Sequence, residues 1–156
     1  MFISLATDID EDRVKTIKEL LALHEKGQIE IVASAMAIAE FRPYQGQAAH
    51  TETAKVVDDL FNSTDIFLYA VTPDIASLAR DIGEKHPALT PTDAIHIATA
   101  ITAKADVLFT FDGAGKIGKR RRQKEMIANT GRIGHPPLKI SEPYVDLGPI
   151  FDEQPL

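Results

Sequence analysis

Two aspartates flank an almost uninterrupted apolar stretch in the middle of the chain. Asp93 lies near the start of TPTDAIHIATAITAKADVLFTFDG, residues 90–113, and Asp112 lies near its end. Thr90 followed by Pro91 is a helix start signal, and residues 105–111 are typical of a buried strand. A strand that ends in an aspartate and a glycine places a carboxylate at the sheet edge where open α/β folds build their sites. The segment therefore predicts a functional site that contains carboxylates.

A third acid follows an earlier predicted strand. In IVASAMAIAEF, residues 31–41, we predict a strand and then a helix that Ser34 caps. Glu40 lies in that helix among apolar residues, where a charge is costly unless it is paired, exposed or bound to a cation. Asp93 also has a structural explanation, because an acid at the third helical position completes a capping box and interacts with the helix dipole. From the residues alone, both interpretations stay open for each acid.

The three acids are each predicted at the carboxyl end of a strand or on the helix just after it. One fold could therefore gather Glu40, Asp93 and Asp112. Oxygen ligands without cysteine or histidine suit Mg²⁺ or Mn²⁺. We therefore predict these three residues as metal ligands and as the catalytic residues. His96 lies one turn after Asp93 and has no metal-binding spacing, so helix packing or a hydrogen bond is the better interpretation.

Helices and strands alternate along the predicted chain. We predict strands at Gln28–Ala33, Ile66–Val71, Ala105–Phe111 and Leu138–Ile140, and helices at Asp10–Lys26, between Ser34 and Pro43, at Glu52–Phe61, between Thr72 and Gly83, and from Thr90 onwards. This alternation predicts an α/β fold with a mainly parallel sheet that helices cover on both faces.

Length and composition limit the class of protein. The 156 residues, 44% of them apolar, suit one domain that buries a core without disulfides or a structural metal. The absence of cysteine excludes a disulfide framework, a thiolate zinc site and a cysteine nucleophile. No apolar run is long enough to span a membrane, and the first residues turn acidic where a signal peptide would stay apolar. We therefore expect a cytoplasmic protein.

A basic run follows the acidic region. The net charge of −6 argues against a protein that binds nucleic acid over its whole surface. The run could nevertheless contact RNA phosphates, although a solvated helix explains it at least as well; it consists of Lys119, Arg120, Arg121, Arg122 and Lys124. We predict one domain over residues 1–115, with residues 116–156 as a basic segment and C-terminal extension docked on it.

Three segments together resemble a known family. IVASAMAIAEF, TPTDAIHIATA and ADVLFTFDG are similar to PIN domains, the metal-dependent ribonuclease fold found in bacterial toxin–antitoxin toxins and in RNA-processing nucleases, and the resemblance spans residues 1–112. It implies a Rossmann-like three-layer fold, a negatively charged pocket for a divalent metal, and cleavage of single-stranded RNA. By position, Glu40, Asp93 and Asp112 match three acidic ligands of the family. Thr110 matches a polar residue two before the last acid. A toxin role would imply an antitoxin partner and a homodimer.

The chain departs from the family pattern at its start. The family opens with a strand that ends in an aspartate, and FISLATDIDEDRVKTIKELL resembles the segment that comes just after that strand. Asp8 and Asp10 do not replace the aspartate, because they come at the far end of the first helical stretch. Either the true start lies upstream of Met1, or the chain lacks the strand. In the family this strand is central, so its loss would require another strand there, from Leu138–Ile140 or from a partner.

Three functions remain compatible with these residues. The leading hypothesis is a PIN-like ribonuclease that depends on Mg²⁺ or Mn²⁺. The alternative is a catalytically inactive PIN-like domain that binds RNA or a protein. A receiver-like signalling domain with Asp112 as phospho-acceptor is disfavoured, because the early acidic pair and the later lysine of such domains are not evident.

Overall fold

A computed structural model describes residues 11–40, 59, 66–111 and 125–145. Five helices and four strands lie in these ranges: α1 Glu11–Glu25, β1 Val32–Ser34, α2 Met36–Glu40, β2 Phe67–Tyr69, α3 Pro73–Lys85, α4 Pro91–Thr102, β3 Val107–Phe109, α5 Glu125–Ala128 and β4 Lys139–Ser141. Within the same ranges, no helix combines the length and the apolar character needed to cross a membrane. The predicted helix at residues 52–61 lies outside the description, except that residue 59 is helical.

The helix ends that carry local signals agree with the prediction. Gly27 ends α1 with a φ of 69°, and its N–H donates to the carbonyl of His24 at 2.8 Å. Glycine suits this left-handed position because it has no Cβ. The predicted stop at Gly83 is wrong, since α3 continues to Lys85. Buried Ile82 belongs to the core, and its carbonyl accepts the N–H of His86, which caps the longer helix.

The strands form two parallel pairs. In the first pair Val32 of β1 lies opposite Phe67 of β2, and in the second Val107 of β3 lies opposite Lys139 of β4. The prediction of parallel pairing is thus confirmed. Strands β1, β2 and β3 are shorter than predicted, whereas β4 has the predicted three residues, shifted by one position. Among the described residues no ladder joins β1 to β3, so the pairs are separate two-stranded sheets.

Helix α4 contacts both β1 and β3, so it supports the two sheets together. Its start is fixed locally: the hydroxyl of Thr90 accepts the N–H of Asp93 at 3.2 Å, and Oδ2 of Asp93 accepts the N–H of Thr90 at 2.9 Å. This is the predicted capping box. The small side chains of Ala94 and Ala98 are buried on the helix, beside fully buried Ile97.

Two apolar clusters of unequal size hold the described residues together. The large one joins α3, α4 and the residues of β4, with Ile75, Ile97 and Ile140 among its most buried members. The small one is built around Ile31 and Ile66, beside β1 and β2. Strand β4 pairs with β3 and does not extend towards β1. The suggestion that residues 138–140 fill the centre of the sheet is therefore wrong.

Candidate functional site

A cavity of about 680 Å³ lies between β1 and β3. Residues of both strands line it, together with residues of α1 and α4. Three predicted site residues, Glu40, Asp93 and Thr110, belong to its wall. Glu40 ends the helix after β1, Thr110 follows β3, and Asp93 lies in the first turn of α4. The fold thus brings these residues to one cavity from three separate elements.

Glu40 is paired with a histidine of α4. Nε2 of His96 lies 2.6 Å from Oε2 of Glu40, and the two side chains are 20% and 35% exposed. Since a carboxylate only accepts, the histidine donates from Nε2. Of the two predicted roles of His96, helix packing or a hydrogen bond, the structure shows the hydrogen bond. Glu40 is exposed as well as paired, so its charge is tolerated at the end of the apolar helix α2. The contact also fixes the direction of one oxygen of Glu40 at the cavity.

Asp93 takes part in the capping box and also lines the cavity. The box uses Oδ2, whereas Oδ1 makes no hydrogen bond to any residue that the structure describes. The cap holds the carboxylate in one orientation, because its two reciprocal bonds restrict both the backbone and the side chain. The structural role of Asp93 therefore leaves one oxygen available to a ligand.

Ser34 is a cavity residue for which the sequence predicted only a capping role. It is the last residue of β1 and is 4% exposed, and its hydroxyl accepts the N–H of Met36 at 3.2 Å. Thr110 is positioned by its backbone, whose N–H donates to the carbonyl of Ser141 at 3.0 Å. Ser34 ends β1 and Thr110 directly follows β3. A polar residue at the carboxyl end of a strand is the signal by which Ser34 could have been predicted as a site residue.

The remaining predicted site residues lie outside the description: Asp112, Lys119, Arg120, Arg121, Arg122 and Lys124. Within residues 11–40, 59, 66–111 and 125–145, no three histidine, aspartate or glutamate side chains gather closely enough to hold a metal ion. Glu40 and Asp93 supply carboxylate oxygens to one cavity, and carboxylate oxygens are the ligands that hard divalent cations prefer. The described residues thus supply part of a ligand set.

Comparison with known sequences tests the assignment of this chain to a family. The sequence model of the PIN domain matches residues 2–115, which is well over half of the chain. The chain belongs to the PIN domain family. No curated protein and no solved structure matches it significantly. The PIN domain is an α/β three-layer fold, consistent with the parallel strands and helices of this chain, and PIN domains are generally metal-dependent nucleases. The predicted family and fold class are confirmed.

Proposed function

We propose that this PIN domain is an endoribonuclease that hydrolyses single-stranded RNA with Mg²⁺ or Mn²⁺, as the toxin of a toxin–antitoxin pair. One observation carries the proposal: Glu40 and Asp93, far apart in sequence, line the same cavity between β1 and β3 in a chain of a generally nucleolytic family. An antitoxin partner, a homodimer and a cytoplasmic location are further parts of this proposal. The size of the purified protein in solution, with and without a co-expressed partner, tests the first two.

Each residue of the cavity has a role in the proposed reaction. Glu40 and Asp93, with Asp112 after β3, would hold the cation. When bound, the cation supplies charge that polarises the scissile phosphate and lowers the pKa of the attacking water. His96 orients Glu40 through its hydrogen bond, and the backbone N–H of Thr90 orients the carboxylate of Asp93. Thr110 adds a polar group to the same wall. Pre-set orientations of this kind lower the entropy lost when substrate and cation are positioned.

The first test separates the two roles of Asp93 by thermal melting with EDTA and with millimolar Mn²⁺. Asp93→Asn removes the charge but retains an oxygen that can accept the N–H of Thr90. Thr90→Ala weakens the cap but leaves the carboxylate intact, so it is the matched control. Metal at about 100 times its Kd stabilises a protein by about 2.7 kcal/mol. We expect this gain in the wild type and in Thr90→Ala, and its loss in Asp93→Asn.

A metal response of equal size in Asp93→Asn would show that Asp93 is only a helix cap. Cleavage is measured on the same proteins with a labelled single-stranded RNA. We expect activity that EDTA abolishes and that both Asp93→Asn and Asp112→Asn eliminate. Cleavage that survives both substitutions would contradict the proposed site.

A second test concerns the basic run. Replacing Arg120, Arg121 and Arg122 by alanine should weaken RNA binding for all sequences, because fewer counterions are released from phosphates. If each arginine contacts one phosphate of a single strand, the slope of log affinity against log salt should fall by about 2 in magnitude. An unchanged slope, measured by fluorescence anisotropy across a salt series, would make the run a solvated surface.

A second candidate function is a catalytically inactive PIN domain that binds RNA or a protein. The observation that favours it is the partial ligand set: among the described residues no three potential ligands gather, and Glu40 is already paired with His96. Binding of single-stranded RNA without cleavage in Mg²⁺ and in Mn²⁺ would support this alternative over the nuclease.

A further inference from the structure

Each of the two carboxylates at the cavity has one oxygen engaged in a hydrogen bond. Oε2 of Glu40 accepts a hydrogen bond from Nε2 of His96 at 2.6 Å, and Oδ2 of Asp93 accepts the N–H of Thr90 at 2.9 Å. The other two oxygens, Oε1 of Glu40 and Oδ1 of Asp93, accept no hydrogen bond from any residue that the structure describes. The hydrogen bonds therefore distinguish one oxygen of each carboxylate from the other.

The two carboxylates are held by different means. Asp93 lies in the first turn of α4, and its bond partner is only three positions away, so the helix start itself fixes the geometry. Glu40 is the last residue of the five-residue helix α2, which has no buried residue. Of the side chains that the structure describes, only that of His96 bonds to Glu40, from a position on α4 beside fully buried Ile97. The orientation of Glu40 at the cavity thus depends on a histidine that a well-packed helix holds in place.

Carboxylates held in this way suit some divalent cations better than others. Mg²⁺ requires nearly ideal octahedral geometry, and it usually keeps several waters and takes one or two carboxylates. Ca²⁺ takes more oxygens in flexible geometry, often with both oxygens of one carboxylate. A carboxylate that turns to offer both oxygens equally to one cation must lengthen or bend the hydrogen bond that holds one of them. The engaged oxygens therefore favour ligation through single oxygens.

We propose that His96 is a positioning residue that makes this site select Mg²⁺ and Mn²⁺ over Ca²⁺. Its N–H holds Oε2 of Glu40, so that the cation receives Oε1 alone. The capping box does the same for Asp93, whose Oδ1 is left for the cation. Hydrogen-bond partners of metal ligands tune a site because they fix the orientation of the ligating atoms. Selectivity between Mg²⁺ and Ca²⁺ depends on the number and flexibility of the ligands, and both are restricted here.

The inference rests on the metal-binding part of the proposed function and does not require cleavage of RNA. It concerns which cation the carboxylates accept, whereas the nuclease proposal concerns what the bound cation does. Cation binding is therefore measured on the full chain without RNA, so that a result on selectivity is separate from a result on cleavage.

The test is a competition titration followed by electron paramagnetic resonance of Mn²⁺. Aqueous Mn²⁺ gives a sharp spectrum that broadens on binding, so the amplitude reports the concentration of unbound Mn²⁺. Mg²⁺ and Ca²⁺ are then added separately to the Mn²⁺-loaded protein. The concentration that releases half of the bound Mn²⁺ gives the dissociation constant of each competitor. In the wild type we expect Ca²⁺ to be the weaker competitor.

Three variants identify the source of the preference. His96→Ala removes the donor, and we expect the affinity for Mg²⁺ to fall about tenfold while that for Ca²⁺ falls less, so that the preference decreases. His96→Gln retains an N–H donor near the position of Nε2 and should retain the preference. His86→Ala removes a half-buried histidine at the C-cap of α3, outside the lining of the cavity, and should leave both affinities unchanged. Urea unfolding in EDTA shows whether each variant is folded.

Glu40→Gln separates failure of the inference from failure of the proposed function. We expect this variant to bind Mn²⁺ more weakly than the wild type, because it loses a charged ligand. Binding as tight as that of the wild type would show that Glu40 is not a ligand, and the proposed metal site would be wrong.

If Glu40→Gln does weaken Mn²⁺ binding, three results would overturn the inference alone. The first is equal competition by Mg²⁺ and Ca²⁺ in the wild type. The second is an unchanged ratio of the two dissociation constants in His96→Ala. The third is a loss of the preference in His96→Gln as large as that in His96→Ala, which would assign the effect to the shape of the imidazole ring and not to its N–H.

Discussion

The two sheets of this PIN domain differ in how completely the described residues enclose them. We call β3 and β4 with α3 and α4 the closed half, and β1 and β2 with α2 the open half. In the closed half Ile97 and Ile140 are fully buried within one large cluster. In the open half the small cluster centres on Ile31 and Ile66, and Phe67 of β2 remains 58% exposed. Among the described residues, the closed half thus contains the larger buried apolar cluster.

The helices show the same contrast. Helices α3 and α4 each begin with a threonine N-cap followed by proline, and they pack on each other. Helix α2 has five residues, none of them buried. A short helix gains little from its own hydrogen bonds, so tertiary contacts must hold it. One such contact is the Glu40–His96 hydrogen bond, which ties α2 of the open half to α4 of the closed half.

The largest expected difference is in core packing. Ile97→Ala should lower the free energy of unfolding by about 2–5 kcal/mol, towards the upper end of that range, because the fully buried site cannot collapse. Ile31→Ala should lie near the lower end of the range, about 2 kcal/mol, because Ile31 borders the cavity between β1 and β3 and its surroundings can relax. Urea unfolding of both variants measures the difference. Equal losses would mean that the open half is as tightly packed as the closed half.

The helix caps of the closed half should give effects of intermediate size. Thr90→Ala and Thr72→Ala should each lower stability by about 1 kcal/mol, since each removes an acceptor for an orphan N–H. The loss should be larger for Thr90, whose cap is reciprocal. Thr102→Ala near the exposed end of α4 is the matched control, and we expect a change within about 0.5 kcal/mol. A control as costly as the caps would mean that the threonines act through general helix packing.

The smallest expected effect is the coupling across the two halves. A double-mutant cycle of Glu40→Gln and His96→Ala should give a coupling energy of about 0–1 kcal/mol, because both side chains are partly solvated. The cycle is measured by urea unfolding in EDTA, so that bound metal does not contribute. A coupling above about 2 kcal/mol would show that this one contact holds the open half in place.

The sequence predicted best those features that depend on neighbouring residues. The capping box of Thr90 and Asp93 and the end of α1 at Gly27 were both predicted, because their partners lie within four residues. Strands β1, β2 and β3 were predicted too long, since apolar runs continue beyond the point where a partner strand ends. Helix α3 passes Gly83 because burial of Ile82 outweighs the weak helix propensity of glycine.

The features of the candidate site likewise divide into those that local sequence predicted and those that depend on residues far apart in the chain. From the sequence we predicted Glu40 and Asp93 as site residues, and helix packing or a hydrogen bond for His96. The structure places all three on one cavity. The partner of His96 was not predicted, because Glu40 lies 56 positions away and no local pattern joins them. Asp112 and the basic run remain predictions, as do the metal and the RNA substrate.

By itself, the sequence determined the family and the fold class, because residue type and local spacing carry that information. Only the tertiary structure decided that β4 pairs with the far edge of β3, and that β1 and β3 are left with an opening between them. The physical reason is that strand pairing is a non-local choice. Any strand edge offers the same backbone groups, so neighbours are selected by packing against a shared support, here α4.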